Sequence, residues 1–95
     1  MQELNTFQIR FMQAISEVQE WCVSYALYGK RDYASREEEA YAVTSEVIYR
    51  IMELIDGYGR SDVGKLDIVC EETGESLKQN PFIELHDVVC DFIKG

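Results

Sequence analysis

Two stretches of this chain carry side chains whose types and spacing could do chemistry. Residues 59–66 read Gly-Arg-Ser-Asp-Val-Gly-Lys-Leu, the G-x-x-x-x-G-K spacing with which backbone N–H groups and a lysine cradle phosphates. Further on, His86 and Cys90 stand four apart, which on a helix puts an imidazole and a thiol on one face, within reach of one zinc ion. Cys70 is a conceivable third ligand.

The surroundings weaken both readings. After Lys65 comes Leu66, where a phosphate loop needs Ser or Thr to hold magnesium. Such a loop also runs from a strand into a helix, whereas here a helical pattern precedes and an alternating pattern follows. A glycine-rich turn is the expectation, and nucleotide hydrolysis is rejected. On a helical wheel His86 and Cys90 fall inside the apolar arc of Phe82, Val89 and Ile93. They are weak metal candidates, better read as a histidine with one polar contact and a buried thiol. No cofactor is expected. A Cys–His nucleophile would need an exposed low-pKa thiolate and an oxyanion site, so no catalytic residue is assigned. The carboxylate pairs Glu53 with Asp56 and Asp87 with Asp91 read as solvated charges on polar faces. A di-metal bundle would need Glu three residues before His86, where Ile83 stands.

The elements that would position these groups are mainly helical. Leu4, Phe7, Phe11, Ala14, Val18, Trp21, Tyr25 and Tyr28 recur at helical spacing, predicting one helix over residues 3–29. With Ile15, Cys22 and Ala26 its apolar arc reaches about 220°, far wider than the roughly 100° stripe of a one-sided helix. Gly29 is its expected stop, with Lys30 and Arg31 suited to the negative end of the dipole. A second helix is predicted over 36–57, opened by Ser35 and Glu38 in a capping-box pattern. Its stripe of Ala40, Val43, Val47, Ile48, Ile51, Leu54, Ile55 and Tyr58 covers about 180° once Tyr41 and Met52 are included. The short connection makes the two helices antiparallel neighbours. The alternation of Lys65 to Cys70, the Thr73-Gly74 turn and Glu75 to Lys78 predict a β-hairpin over 65–78. Asn80 and Pro81 then open a third helix over 81–93, with Phe82, Leu85, Val88, Val89, Phe92 and Ile93 as its buried face. The expected fold class is mainly α with a minor β element: two long antiparallel helices, a β-hairpin and a C-terminal helix in one domain.

Composition narrows the function classes. Ninety-five residues with 46% hydrophobic side chains can build one core. A net charge of −9 without a basic stripe argues against direct nucleic-acid binding. No apolar run reaches the length of a membrane span, and no basic-then-apolar leader stands at the start. Three isolated cysteines suit reduced, mostly buried thiols in a cytoplasmic protein.

Two helices with such wide arcs hold more apolar surface than a short third helix covers. The expected function is therefore association without catalysis: a homodimer with a four-helix-like core, or a module for another protein partner. Phe11, Val18, Trp21, Tyr25, Val47, Ile51 and Leu54 are its candidate interface. Tyrosines at 28, 33 and 41 cluster near the first helix–helix turn, where they suit either a core edge or an interface. An alternative is an acidic decoy, of the small bacterial or phage inhibitor type, presenting Glu37, Glu38, Glu39, Glu46 and Glu53 to a basic nucleic-acid-binding protein. A metal- or small-molecule-binding domain at His86 and Cys90 is a further alternative.

Overall fold

The structure is a computed structural model that describes residues 3–29 and 32–95. Helix α1 runs Thr6–Tyr28. Asn5 sets its start: its side chain accepts from Gln8 N at 2.7 Å while Gln8 Oε1 accepts from Asn5 N at 2.8 Å. This reciprocal pair satisfies two N–H groups at the helix entry, which moves the start inward from residue 3. Gly29 ends the helix as expected, its N–H bonding Tyr25 O at 3.1 Å. Lys30 and Arg31 lie outside the described residues.

Helix α2 runs Arg36–Ile55, and Ser35 caps it by accepting from Glu38 N at 3.1 Å. The expected reciprocal bond is displaced by one residue, because the Glu38 carboxylate accepts from Ala34 N at 2.7 Å. The two helices pack in opposite senses, Ala14 against Leu54 and Trp21 beneath Arg50. No helix among the described residues is long and apolar enough to cross a membrane.

After α2 the chain folds back across its C-terminal end. Gly57 has φ +96°, and a Cβ there would meet Lys65 Cγ at 2.5 Å, so only glycine fits this crossing. Leu66 N then bonds Ile55 O at 2.7 Å. Val63 inserts between the helices, completing a small core with Ala14 and Leu54, against which Phe11, Ile15 and Leu66 pack.

The β-hairpin expected over 65–78 does not form. It reduces to one antiparallel bridge, Val69 with Ser76. Backbone bonds flank it, Cys70 N to Glu75 O at 2.8 Å and Leu77 N to Ile68 O at 2.9 Å, and beyond them the Asp67 carboxylate accepts from Ile68 N at 2.7 Å, from Lys78 N at 3.3 Å and from the Ser76 hydroxyl. Two short strands need a covering face, and Ile68, Val69 and Leu77 remain 44–53% exposed.

The third helix is also shorter than its pattern. Helix α3 spans only Leu85–Val89. Asn80 sits at φ +56°, a left-handed conformation rather than the extended one of a helix cap. Leu85 is buried, Val88, Val89 and Ile93 are half-buried, but Phe82 and Phe92 are 73% and 82% exposed.

The apolar surface is thus covered only in part. Along α1 the buried residues are Ala14 and Cys22, whereas Phe7, Ile9, Met12, Trp21, Val23 and Leu27 are each at least 43% exposed. The chain exposes 7472 Å², against about 5,600 Å² for a compact monomer of its mass. Its radius of gyration is 15.4 Å, against about 12 Å for a compact domain of this length. With so small a core, each buried residue matters: Leu54→Ala, at a site 2% exposed, should lower unfolding free energy by about 2–4 kcal/mol in urea titrations.

Candidate functional site: an apolar groove and a buried polar cluster

The first candidate follows from the wide arcs of the two long helices. Where α1 and α2 diverge, they leave an open groove of about 430 Å³. Val18, Cys22 and Ala26 line one wall, and Val43, Val47 and Ile51 the other, with Ser16 and Gln19 the polar lining side chains. Beside this groove Arg50 lies 3.8 Å from the Trp21 ring centroid, a distance at which a cation is attracted to the indole face. Glu46 at 2.8 Å and Glu53 at 3.0 Å hold the guanidinium there. Trp21 in turn stacks on Tyr25, with ring centroids 5.7 Å apart.

The candidate interface residues therefore divide. Leu54 belongs to the core and Phe11 packs on it. Val18, Val47 and Ile51 line the groove, and Trp21 with Tyr25 forms a stacked ridge capped by Arg50. The candidate acidic surface divides too. Glu37, Glu38 and Glu39 are exposed in the first turn of α2, where they complement the positive helix end. Glu46 and Glu53 are part-buried and bound to Arg50, so the five do not form one free patch.

The second candidate is centred on Asp56, which the sequence pattern placed on a solvated face. That expectation is corrected: Asp56 is 2% exposed, and its side chain wholly buried. It lies just past the end of α2, where four donors converge on it. Lys78 Nζ stands 3.0 Å from Oδ1, and Leu85 N donates to Oδ1 at 3.1 Å. His86 N donates to Oδ2 at 2.9 Å, and His86 Nδ1 lies 2.6 Å from Oδ2. Asp56 thereby serves as a cap for α3 from a distant part of the chain, since the local cap residue, Glu84, makes no side-chain cap bond. Lys78 also donates to Ile55 O at 3.2 Å, at the negative end of α2.

Burial by itself would raise the Asp56 pKa, but the hydrogen bonds from His86, Lys78 and Leu85 outweigh it and hold the carboxyl at about 2. Its bond to Asp56 raises the His86 pKa, against the lowering effect of burial, and the carboxylates of Asp87 and Glu84 add to the rise. Tyr49 and Tyr58 enclose the ring edge-on, with centroids 5.8 and 5.1 Å away. Beside it Glu84 accepts from Tyr58 Oη at 3.3 Å through Oε1. Glu84 Oε2 is buried with no hydrogen-bond partner among the described residues, 3.7 Å from His86 Nδ1.

His86 thus faces carboxylates rather than Cys90, whose exposed thiol donates to His86 O at 3.6 Å. Cys70 is exposed as well, and the Thr73 hydroxyl with backbone N–H groups of Thr73 and Glu72 pulls its thiol pKa down. Of the three thiols expected to be mostly buried, only Cys22 is, and burial raises its pKa. A sign in the sequence does point to Asp56: a carboxylate at the C-terminal end of a helix opposes the dipole and calls for partners elsewhere.

The loop with phosphate-loop spacing is a structural clasp. Arg60 pairs with Asp62 through two bonds of 2.9 and 2.6 Å and reaches α1 at Gln13 and Glu17, each 3.3 Å away. This holds Val63 in the core.

The Asp56–His86 pair makes stability depend on pH in two directions. A lowered Asp56 pKa stabilises the fold above its ordinary 3.8, a contribution lost as pH falls to about 2. A raised His86 pKa stabilises it below the ordinary 6.5, a contribution lost as pH climbs through the raised value. Urea midpoints measured in EDTA should accordingly peak between about pH 4 and 6.5 and fall on both sides. In Asp56→Asn both slopes should flatten, and unfolding free energy at pH 6 should drop by about 3 kcal/mol or more, as when one partner of a buried pair is removed. The chain matches no protein-family model, no curated protein and no solved structure.

Proposed function

We propose that this protein acts without catalysis, through association, and that the occupant of the groove between α1 and α2 is a second copy of the same chain. The observation that carries this reading is the uncovered area. The chain exposes about 1,900 Å² more than a compact monomer of its mass. An obligate homodimer removes about 1,000–2,500 Å² from each partner, so the excess is the amount that one such interface covers.

A small ligand would fit the groove by volume but leave most of that excess exposed. It would also find little to orient it, since the polar lining side chains are Ser16 and Gln19. A helix ridge from a second copy meets both conditions. Met12 and Leu27, on the exposed side of α1, supply apolar side chains of the kind the groove accepts. Pairing about a two-fold axis lets each copy offer a ridge and receive one. The walls carry no formal charge, so the −9 of each chain is kept outside the contact. Residual repulsion between two acidic chains is screened by salt, so salt favours the dimer. Glu37, Glu38 and Glu39 remain outside the groove, and an acidic-decoy reading would rest on these three alone.

Light scattering on a sizing column at micromolar concentration is expected to give twice the 11.0 kDa chain mass. Raising the salt should strengthen the dimer. Val47→Glu, which puts a charge on the groove wall, should yield monomers with helical circular dichroism retained, whereas Glu37→Lys should leave the mass unchanged. A wild-type mass of one chain at these concentrations would overturn the proposal.

A further inference from the structure

The geometry points to a divalent metal site formed by Asp56, Glu84 and His86, suited to zinc or a similar first-row ion. One donor atom from each lies within 4.8 Å of the other two. His86 Nδ1 is 2.6 Å from Asp56 Oδ2 and 3.7 Å from Glu84 Oε2. Around a zinc ion, tetrahedral nitrogen and oxygen ligands at about 2.0–2.2 Å stand about 3.4 Å apart. The two distances bracket that value, so a small opening of one pair and closing of the other admits the ion. The ion takes the position of the proton shared by Nδ1 and Oδ2, which leaves to solvent.

Two further observations set this cluster apart from a chance group of acids. Glu84 Oε2 is a buried carboxylate oxygen without a hydrogen-bond partner among the described residues, aimed at the same nitrogen. A buried acceptor left in this way is costly, and a cation satisfies it. Each donor is also held from behind, as metal ligands are. Lys78 and Leu85 N hold Asp56 Oδ1 and leave Oδ2 toward the site. Tyr58 holds Glu84 Oε1 and turns Oε2 inward. Asp87 Oδ1 stands 3.4 Å from His86 Nε2, and once the proton between Nδ1 and Asp56 Oδ2 is displaced it is Nδ1 that faces the ion. With His86 neutral, the carboxylates of Asp56, Glu84 and the neighbouring Asp87 against the Lys78 ammonium leave two net negative charges for the ion to meet.

The experiment titrates the full chain, stripped with EDTA, with zinc chloride at pH 7.5, by calorimetry and by thermal melting. One zinc per chain, with a rise in melting temperature, is expected. Glu84→Gln keeps the Tyr58 contact but removes the orphaned charge, and should weaken zinc binding at least tenfold while leaving the metal-free melting temperature nearly unchanged. Cys90→Ser should bind like the wild type. Cobalt(II) gives a readout that needs no variant: a ligand-field spectrum without a thiolate charge-transfer band. The site would be overturned by the absence of saturable binding, by equal affinity in Glu84→Gln, or by loss of binding in Cys90→Ser or a thiolate band with cobalt.

Discussion

The C-terminal half of this protein depends on one buried carboxylate. A charge removed from water needs several donors to be tolerated, and Asp56, at the end of α2, gathers them from two separate segments: the loop around Lys78 and the first residues of α3. Residues 57–95 form only one short helix and one isolated bridge, so little local structure directs them. The need to satisfy Asp56 supplies that direction. It fixes where Lys78 lies, where α3 begins, and which face His86 presents.

A comparable economy governs the N-terminal half. Two long helices meet through a small core of Ala14, Leu54 and Val63, and the loop that delivers Val63 is clasped onto α1 by Arg60. The helices then part into an open groove with aliphatic walls. Hydrophobic burial is the main favourable term in folding, so a chain that leaves this much apolar area exposed is short of stabilisation relative to what its composition allows. On the reading proposed here, self-association supplies the missing burial and is also the activity. The polar cluster lies at the other end of α2, so metal binding and association can be separated by experiment.

Legibility in the sequence followed the range of the interactions involved. The two long helices were readable because hydrophobic spacing and the cap at Ser35 are local signals, and both appear within a few residues of the expected bounds. The excess arc of α1 was readable for the same reason, and the exposure of Phe7, Trp21 and Tyr28 is its direct expression. The expected hairpin misled because alternation is a local pattern, whereas a strand needs a neighbour and a covering face. Pairing stops at one bridge, and past it the Asp67 carboxylate, not a partner strand, takes the N–H groups of Ile68 and Lys78. Asn80 and Pro81 misled similarly: both suit a helix start, yet Asn80 adopts a left-handed conformation and the helix waits for Asp56.

By itself, the sequence determined the class of the fold, the extent of its long helices and the surplus of apolar surface, because each follows from composition or from spacing within a few turns. Tertiary structure decided which polar groups act together. Asp56 and His86 are thirty residues apart, and their 2.6 Å approach exists only because the chain folds back across the end of α2. Helical spacing marked His86 with its neighbour Cys90, four residues away. Folding instead joined it to carboxylates, since a buried acid has a far stronger requirement for donors than a thiol has for an imidazole.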